Sequence, residues 1–203
     1  MEYVDSVVMI PGTMAHCYDV NHGGKRILID AGTAGSGKKI VSYYEKLHSK
    51  PEILLITHYH PDHIGGIPAI REAFNPRIYV PEGEKEVIAG KRRMVPADSI
   101  ISKIMARTVR MKRNDGLLTM SDFHLDGVEV LSTAGHTPDS RSFIFENLKG
   151  IFVGDAAMKK KDRITFNRSF TLFPDRAEKS IETITSYRGY TVYPGHGNIF
   201  KIQ

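Results

Sequence analysis

Residues 57–63 read THYHPDH, three histidines and an aspartate in seven positions of a 203-residue chain that has nine histidines in all. Such a stretch is either a polar turn or part of a metal site. Four apolar residues, ILLI at 53–56, precede it and read as a short buried strand. In an extended backbone, residues two apart point to one side, so His58 and His60 project together from the end of that strand. Pro61 turns the chain, and Asp62 and His63 fall where the next helix begins. Three imidazoles and a carboxylate suit zinc first, with iron and manganese as competitors.

A catalytic metal site usually draws ligands from several elements. GHTP at 135–138, VGDA at 153–156 and PGHG at 194–197 each put one donor (His136, Asp155, His196) just past a predicted strand, beside glycine. Alone, His136 or His196 would more often be a hydrogen-bonded loop histidine, and Asp155 a turn aspartate. Taken with THYHPDH, the set reads as a metal site built from four segments.

The rest of the chain supplies a scaffold. Apolar runs and alternation predict strands at 4–10, 26–30, 53–56, 77–80, 128–132, 141–145, 150–154 and 191–193. Helical spacing predicts helices at 38–49, 64–74, 99–111 and 175–186. In the third, Ile100, Ile101, Ile104, Met105 and Val109 are read as one apolar face, Asp98 or Ser99 as the N-cap, and Lys103, Arg107 and Arg110 as a basic stripe. Strands in groups with helices between them indicate sheets packed together with helices outside, a mixed α/β (α+β) class.

Hydrophobic residues make up 41% and charged residues 25%, ordinary for a soluble globular protein. The length fits one domain, residues 1–203, with enough chain for a core without disulfides. The single cysteine, Cys17, fits a reducing compartment, and neither a membrane-spanning run nor a basic leader is evident, so a cytoplasmic location is expected. The net charge of +5 is local: residues 84–113 hold nine Lys or Arg and three acids, a basic insertion of +6, leaving −1 elsewhere. Such a segment is more often a solvated face or a cap over a pocket than a nucleic-acid site, so nucleic acid is the weaker partner.

THYHPDHIGG resembles the HxHxDH motif of the metallo-β-lactamase superfamily. GHTPDS, VGDA and PGHG resemble its later motifs in the expected order, and ILIDAG at 27–32 its early strand-and-aspartate motif. The resemblance implies an αββα sandwich of two mixed β-sheets with helices on the outer faces and the site at one edge. It implies two divalent metal ions, zinc foremost. Carried over by motif, His58, His60 and His136 take the first, Asp62, His63 and His196 the second, and Asp155 bridges them. Asp30 would support the histidine loop through hydrogen bonds.

The implied activity is hydrolysis of an ester, thioester, lactone or phosphodiester bond by a hydroxide held between the metals, with Asp62 as the catalytic residue that orients it and manages its proton. The alternatives are a mononuclear iron dioxygenase acting on a persulfide, and a nucleic-acid-processing member of the superfamily. The chain departs from several branches. Asp155 occupies the bridging position that zinc β-lactamases lack, His60 stands where flavodiiron reductases carry glutamate, and Met158 where acyl-homoserine lactonases carry tyrosine. Asp139 replaces the second glycine of the usual GHTPGS and is read as loop-shaping; His16 stands where many members have asparagine. A small-molecule substrate is expected, an anionic one if Lys159, Lys160, Lys161 and Arg163 face the site rather than solvent. Residues 165–173 would cover the site or bury against a partner subunit, so a dimer is an open option.

Overall fold

The computed structural model describes residues 5–109 and 112–203. Val4 of the first predicted strand, and Arg110 and Met111 of the predicted basic helix, lie outside the described residues.

In chain order the first half runs β1 (Ser6–Met9), β2 (Tyr18–His22), β3 (Lys25–Ile29), α1 (Ala34–Lys46), β4 (Ile53–Leu55), α2 (Pro61–Ile64), α3 (Ile67–Phe74), β5 (Arg77–Val80), α4 (Lys85–Ile88), α5 (Ile100–Thr108) and β6 (Leu118–Thr119). The second half runs β7 (Val128–Ser132), β8 (Arg141–Phe145), β9 (Gly150–Gly154), β10 (Met158–Lys160), β11 (Arg163–Thr165), α6 (Pro174–Thr185), β12 (Thr191–Pro194) and β13 (Phe200–Lys201).

One sheet has the order β1-β2-β3-β4-β5-β6. Its first three strands form an antiparallel meander, and β3 to β6 are parallel. Parallel neighbours need crossovers. Here α1, then α2 with α3, then α4 with α5 provide them. The other sheet has the order β13-β12-β9-β8-β7, with β12 parallel to β9 and the remaining pairs antiparallel. The basic segment at 84–113 is thus mostly the crossover from β5 to β6.

Strand alternation decides which side chains meet. Ile27, Ile29, Ile53 and Leu55 face Phe143, Phe145 and Phe152 in the core between the sheets. Their neighbours Leu28, Leu54 and Ile56 point the other way, into a second core with Ile40 and Tyr44 of α1 and Ile67 and Ile70 of α3. On the far face, Ile144, Ile151 and Val192 pack against Ile184 of α6. The layers run helix, sheet, sheet, helix, the expected αββα sandwich. Among the described residues no helix is long and apolar enough to cross a membrane.

Three differences from the sequence reading have physical causes. The helix read across 64–74 is broken at Gly65-Gly66, leaving α2 and α3. A Cβ on Gly66 would lie 2.1 Å from the Ala31 carbonyl oxygen and 2.7 Å from Gly37 Cα, so glycine lets α1 and the chain after β3 close onto the histidine loop. Strand β2 is absent from the strands expected above, and it carries a polar residue, Asp19, in its interior. That residue is buried, but its carboxylate accepts from Tyr43 Oη and Tyr44 Oη, each at 2.9 Å, and pairs with Arg26. The third correction concerns α5. Ser99 caps it as expected, accepting from Ser102 N–H at 3.1 Å. Its buried residues, however, are Ser102 and Ala106, with Met105 and Val109 partly covered, whereas Ile100, Ile101 and Ile104 are 76, 64 and 55% exposed.

Candidate metal centre

The seven candidate ligands lie on loops or a short helix that follow strands. His58 and His60 follow β4, with Asp62 and His63 on α2 just beyond; His136, Asp155 and His196 follow β7, β9 and β12. The two sheets thus bring both sets to one edge of the sandwich. There the side chains form two groups, His58, His60, His136 and Asp155 in one and Asp62, His63 and His196 in the other, with ligand atoms inside each group within 4.8 Å of one another.

In the first group, His60 Nδ1 lies 3.1 Å from His58 Nε2 and 2.9 Å from His136 Nε2. One ring nitrogen cannot donate to both neighbours. Three nitrogens on the edge of a tetrahedron around an ion at 2.0–2.1 Å would sit about 3.3 Å apart. In the second group, His196 Nε2 is 3.1 Å from Asp62 Oδ2, and His63 Nε2 is 4.0 Å from the same oxygen. Asp155 lies between the groups. Its Oδ1 is 3.4 Å from His63 Nε2, and its Oδ2 is 3.5 Å from His136 Nε2 and 3.7 Å from His196 Nε2.

Hydrogen bonds behind the rings fix their tautomers. Asp30 Oδ1 accepts from Thr57 N–H and Asp30 Oδ2 from the Thr57 hydroxyl, both at 2.8 Å, and Oδ2 also accepts from His63 Nδ1 at 2.7 Å. Having spent its proton on Asp30, Thr57 Oγ1 accepts from His58 Nδ1 at 3.0 Å. Thr171 donates its hydroxyl to the Asn167 carbonyl at 2.8 Å and so accepts from His136 Nδ1 at 3.4 Å. In each case Nε2 is turned toward the centre, and on His58 and His136, which burial keeps neutral, it carries no proton, the arrangement a metal ligand requires.

Electrostatics agree. Burial, reinforced by the surrounding imidazoles, holds His58 well below the usual histidine range, brings His60 down to about 3 and lowers His136, so these rings are neutral. Burial would raise Asp155, but His63 beside it keeps it well below the usual carboxylate range. Asp62 is brought down to about 2, its hydrogen bond with His196 outweighing burial. Burial disfavours a charge on His63, yet Asp30 and Asp155 raise it well above the ordinary value; the cluster attracts positive charge at that point. Among the described residues, His63 Nε2 and Asp155 Oδ1 are buried polar atoms with no hydrogen-bond partner, and they face each other. The neutral imidazoles of His58, His60 and His136, the ionised carboxylates and these two orphaned atoms fit divalent metal ions.

Further residues shape the centre. His16 Nδ1 faces the Pro194 carbonyl at 3.1 Å, and its backbone N–H donates to the Gly195 carbonyl at 2.7 Å, so it braces the His196 loop. A Cβ on Gly195 would stand 2.6 Å from both Asp155 Oδ1 and His63 Cε1, space that the cluster occupies. Asp139 ties its loop to Gly83 N–H at 2.8 Å and to Arg141 at 2.6 Å, as a loop-shaping residue would. The segment at 165–173 covers the centre, with Asn167 and Phe170 on the cavity beside it and Leu172 N–H donating to the His136 carbonyl at 3.2 Å. Lys159, Lys160, Lys161 and Arg163 are exposed on the β10–β11 hairpin. Lys159 and Lys161 line a separate groove with Lys201.

Sequence reasoning missed Glu84, counting it only as an acid within the basic segment. Its carboxylate is buried and links the two ligand loops: Oε2 accepts from Tyr59 N–H at 2.7 Å, and Oε1 accepts from the Thr137 hydroxyl and from Asp139 N–H at 3.1 Å. Burial, only partly offset by these donors, pushes it up to about 7.

Comparison with known proteins accords with this geometry. The chain is 29% identical over 199 residues to the probable metallo-hydrolase YqgX of Bacillus subtilis (strain 168), covering 90% of this chain and 85% of that one. It is 26% identical over 221 residues to the exodeoxyribonuclease WalJ of Streptococcus pneumoniae, covering 93 and 80%. The crystal structure of TTHA1623 in a di-iron-bound form superposes with a TM-score of 0.75 at 20% identity, covering 97% of this chain and 94% of that one. A profile of the metallo-β-lactamase superfamily matches residues 10–196. With that match across the sandwich and the cluster at its edge, the chain belongs to the metallo-β-lactamase superfamily of metal-dependent hydrolases.

Proposed function

We propose that this chain is one catalytic domain, a dinuclear metallo-hydrolase that cleaves a carboxylic ester or thioester of a small molecule. His58, His60 and His136 would hold one ion and Asp62, His63 and His196 the other, with Asp155 within reach of both donor groups. Zinc is the first choice by donor chemistry, and the di-iron form of a structural neighbour makes iron the second. When bound, the pair supplies Lewis acidity and an acidified water at neutral pH. The observation that carries the reading is the pair of orphaned buried atoms, His63 Nε2 and Asp155 Oδ1, facing each other between the two donor groups.

The chain's own residues do the rest. Asp30 and Thr57 hold His63 and His58 with Nε2 forward. Asp62, ionised and half-exposed at the cavity wall, orients the attacking water and holds its proton. The segment at 165–173 limits entry of bulk water. Nucleic-acid processing is the second reading, because WalJ is an exodeoxyribonuclease.

The test is metal analysis of purified protein followed by a panel of esters, thioesters, lactones, phosphodiesters and persulfides. Two ions per chain with ester or thioester turnover is the expected result. A single iron with oxygen uptake on a persulfide would overturn it. Asp62→Ala is expected to lower kcat at least about a hundredfold, in the range of losing a general base, and to reduce occupancy of the second ion. Full activity with full metal content in that variant would remove Asp62 from the mechanism.

A further inference from the structure

Beside the centre lies a cavity of ≈ 390 Å³, within the range of small-molecule sites. Asp62, Asp155, His60 and His196 form its floor. The walls are Met14, Met105, Val109, Met158 and Phe170, contributed by the loop after β1, by α5 and its end, by the first residue of β10 and by the covering segment. Among the described residues no lysine or arginine lines it. This is notable in a chain of net charge +5, where the cations of the β10–β11 hairpin line a different groove.

The apolar wall continues outward. Met14 is 69% exposed at the mouth. Ile101 stands one helical turn before Met105, on the same face of α5, and is 64% exposed. This isoleucine, read from the sequence as part of one apolar face with Met105, thus extends the cavity's apolar strip onto the surface. Methionines suit a chain-shaped ligand, because their unbranched side chains adapt to it. Successive phosphates of a polynucleotide would need cations along this wall, and among the described residues it offers none.

We propose that this cavity binds the apolar acyl chain of an uncharged ester or thioester, with the scissile carbonyl at the centre and the chain running past Met158 and Met105 toward Ile101. This deepens the hydrolase reading above and rests on it. In the reaction the water oxygen bonds to the acyl carbon and the acyl C–O or C–S bond breaks. One water proton leaves with the alcohol or thiol, the other is released, and the product is a straight-chain carboxylate.

The experiment has two arms. In the first, metal-loaded protein is given p-nitrophenyl esters and acyl thioesters from acetyl to decanoyl, with bis-p-nitrophenyl phosphate and single-stranded DNA alongside. kcat/KM is expected to rise about fourfold per methylene over the first several carbons, given the transfer preference of a buried methylene. Met105→Gln and Met158→Lys are expected to flatten that rise. In the second arm, straight-chain carboxylates of the same lengths are titrated calorimetrically into the metal-loaded protein, with no turnover involved. Affinity that climbs with chain length, and climbs less in both variants, supports the acyl cavity even if no ester is cleaved, in which case only the hydrolase reading fails. Binding and turnover independent of chain length, or turnover of the phosphodiester and DNA in preference to every acyl ester, would overturn the proposal.

Discussion

Glu84 places a buried carboxylate between the two loops that carry His58, His60 and His136, and all its hydrogen-bond partners are donors: two backbone N–H groups and a hydroxyl. Its pKa, about 7 in the fold against the ordinary 4.5, makes it a pH-dependent element of stability. The raised value means that the folded protein binds this proton more tightly than the unfolded chain does. The associated stabilisation is therefore complete below pH 4.5 and is lost as pH rises toward 7. Its size is on the order of 3 kcal/mol. Glu84→Gln is expected to flatten that part of the slope, because an amide does not titrate. It should also cost about 1–3 kcal/mol at every pH, since its NH₂ must face one of the donors. Urea unfolding of metal-free wild type and variant between pH 4.5 and 7.5 measures the difference, in which the histidine titrations common to both cancel. An identical pH slope in the two proteins would show that Glu84 does not carry the effect.

At the scale of elements, the centre depends on how tightly the Pro194–Gly197 turn follows β12. Gly195 comes so close to Asp155 and His63 that any side chain there must displace one of them. Gly195→Ala is therefore expected to weaken metal binding at least about tenfold, comparable to losing an outer-shell partner, while the circular dichroism melt stays cooperative. Retained metal content after dialysis against a weak chelator would count against this. Elements with strong local signals were legible in the sequence. Strands β3, β4, β8 and β9 are apolar runs, and the motifs at their ends identify candidate ligands by spacing and by resemblance. Strand β2 escaped because its burial of Asp19 is made tolerable by Arg26 of the neighbouring β3 and by Tyr43 and Tyr44 of α1, partners visible only once these elements pack. Strands β6 and β13 are two residues long and exist through their neighbours, not through a pattern of their own. The face of α5 was misread because helical spacing identifies an apolar stripe but not what covers it. Glu84 had no sequence signal, since what it binds is chiefly backbone.

At the scale of the whole molecule, the candidate ligands come from both halves of the sandwich. His58, His60, Asp62 and His63 follow β4 in one sheet, whereas His136, Asp155 and His196 follow strands β7, β9 and β12 of the other. Bound ions would therefore clamp the sheets together at the edge where the interior core of Ile27, Leu55, Phe143 and Phe152 ends. Without ions, that edge keeps two buried polar atoms without a hydrogen-bond partner, a cost that is relieved when cations arrive. A ligand at a thousand times its Kd, binding only the folded state, adds about 4 kcal/mol. For a domain of this length that corresponds to a rise in Tm on the order of 10 °C. Chelator-treated protein is accordingly expected to melt that much lower than protein refilled with zinc, and Asp155→Asn should show a smaller gap, because the carboxylate lying between the two donor groups has lost its charge. Differential scanning calorimetry on samples of measured metal content tests this directly. If the stripped and refilled proteins melt together, the centre does not join the two sheets, and the packed core alone sets their stability.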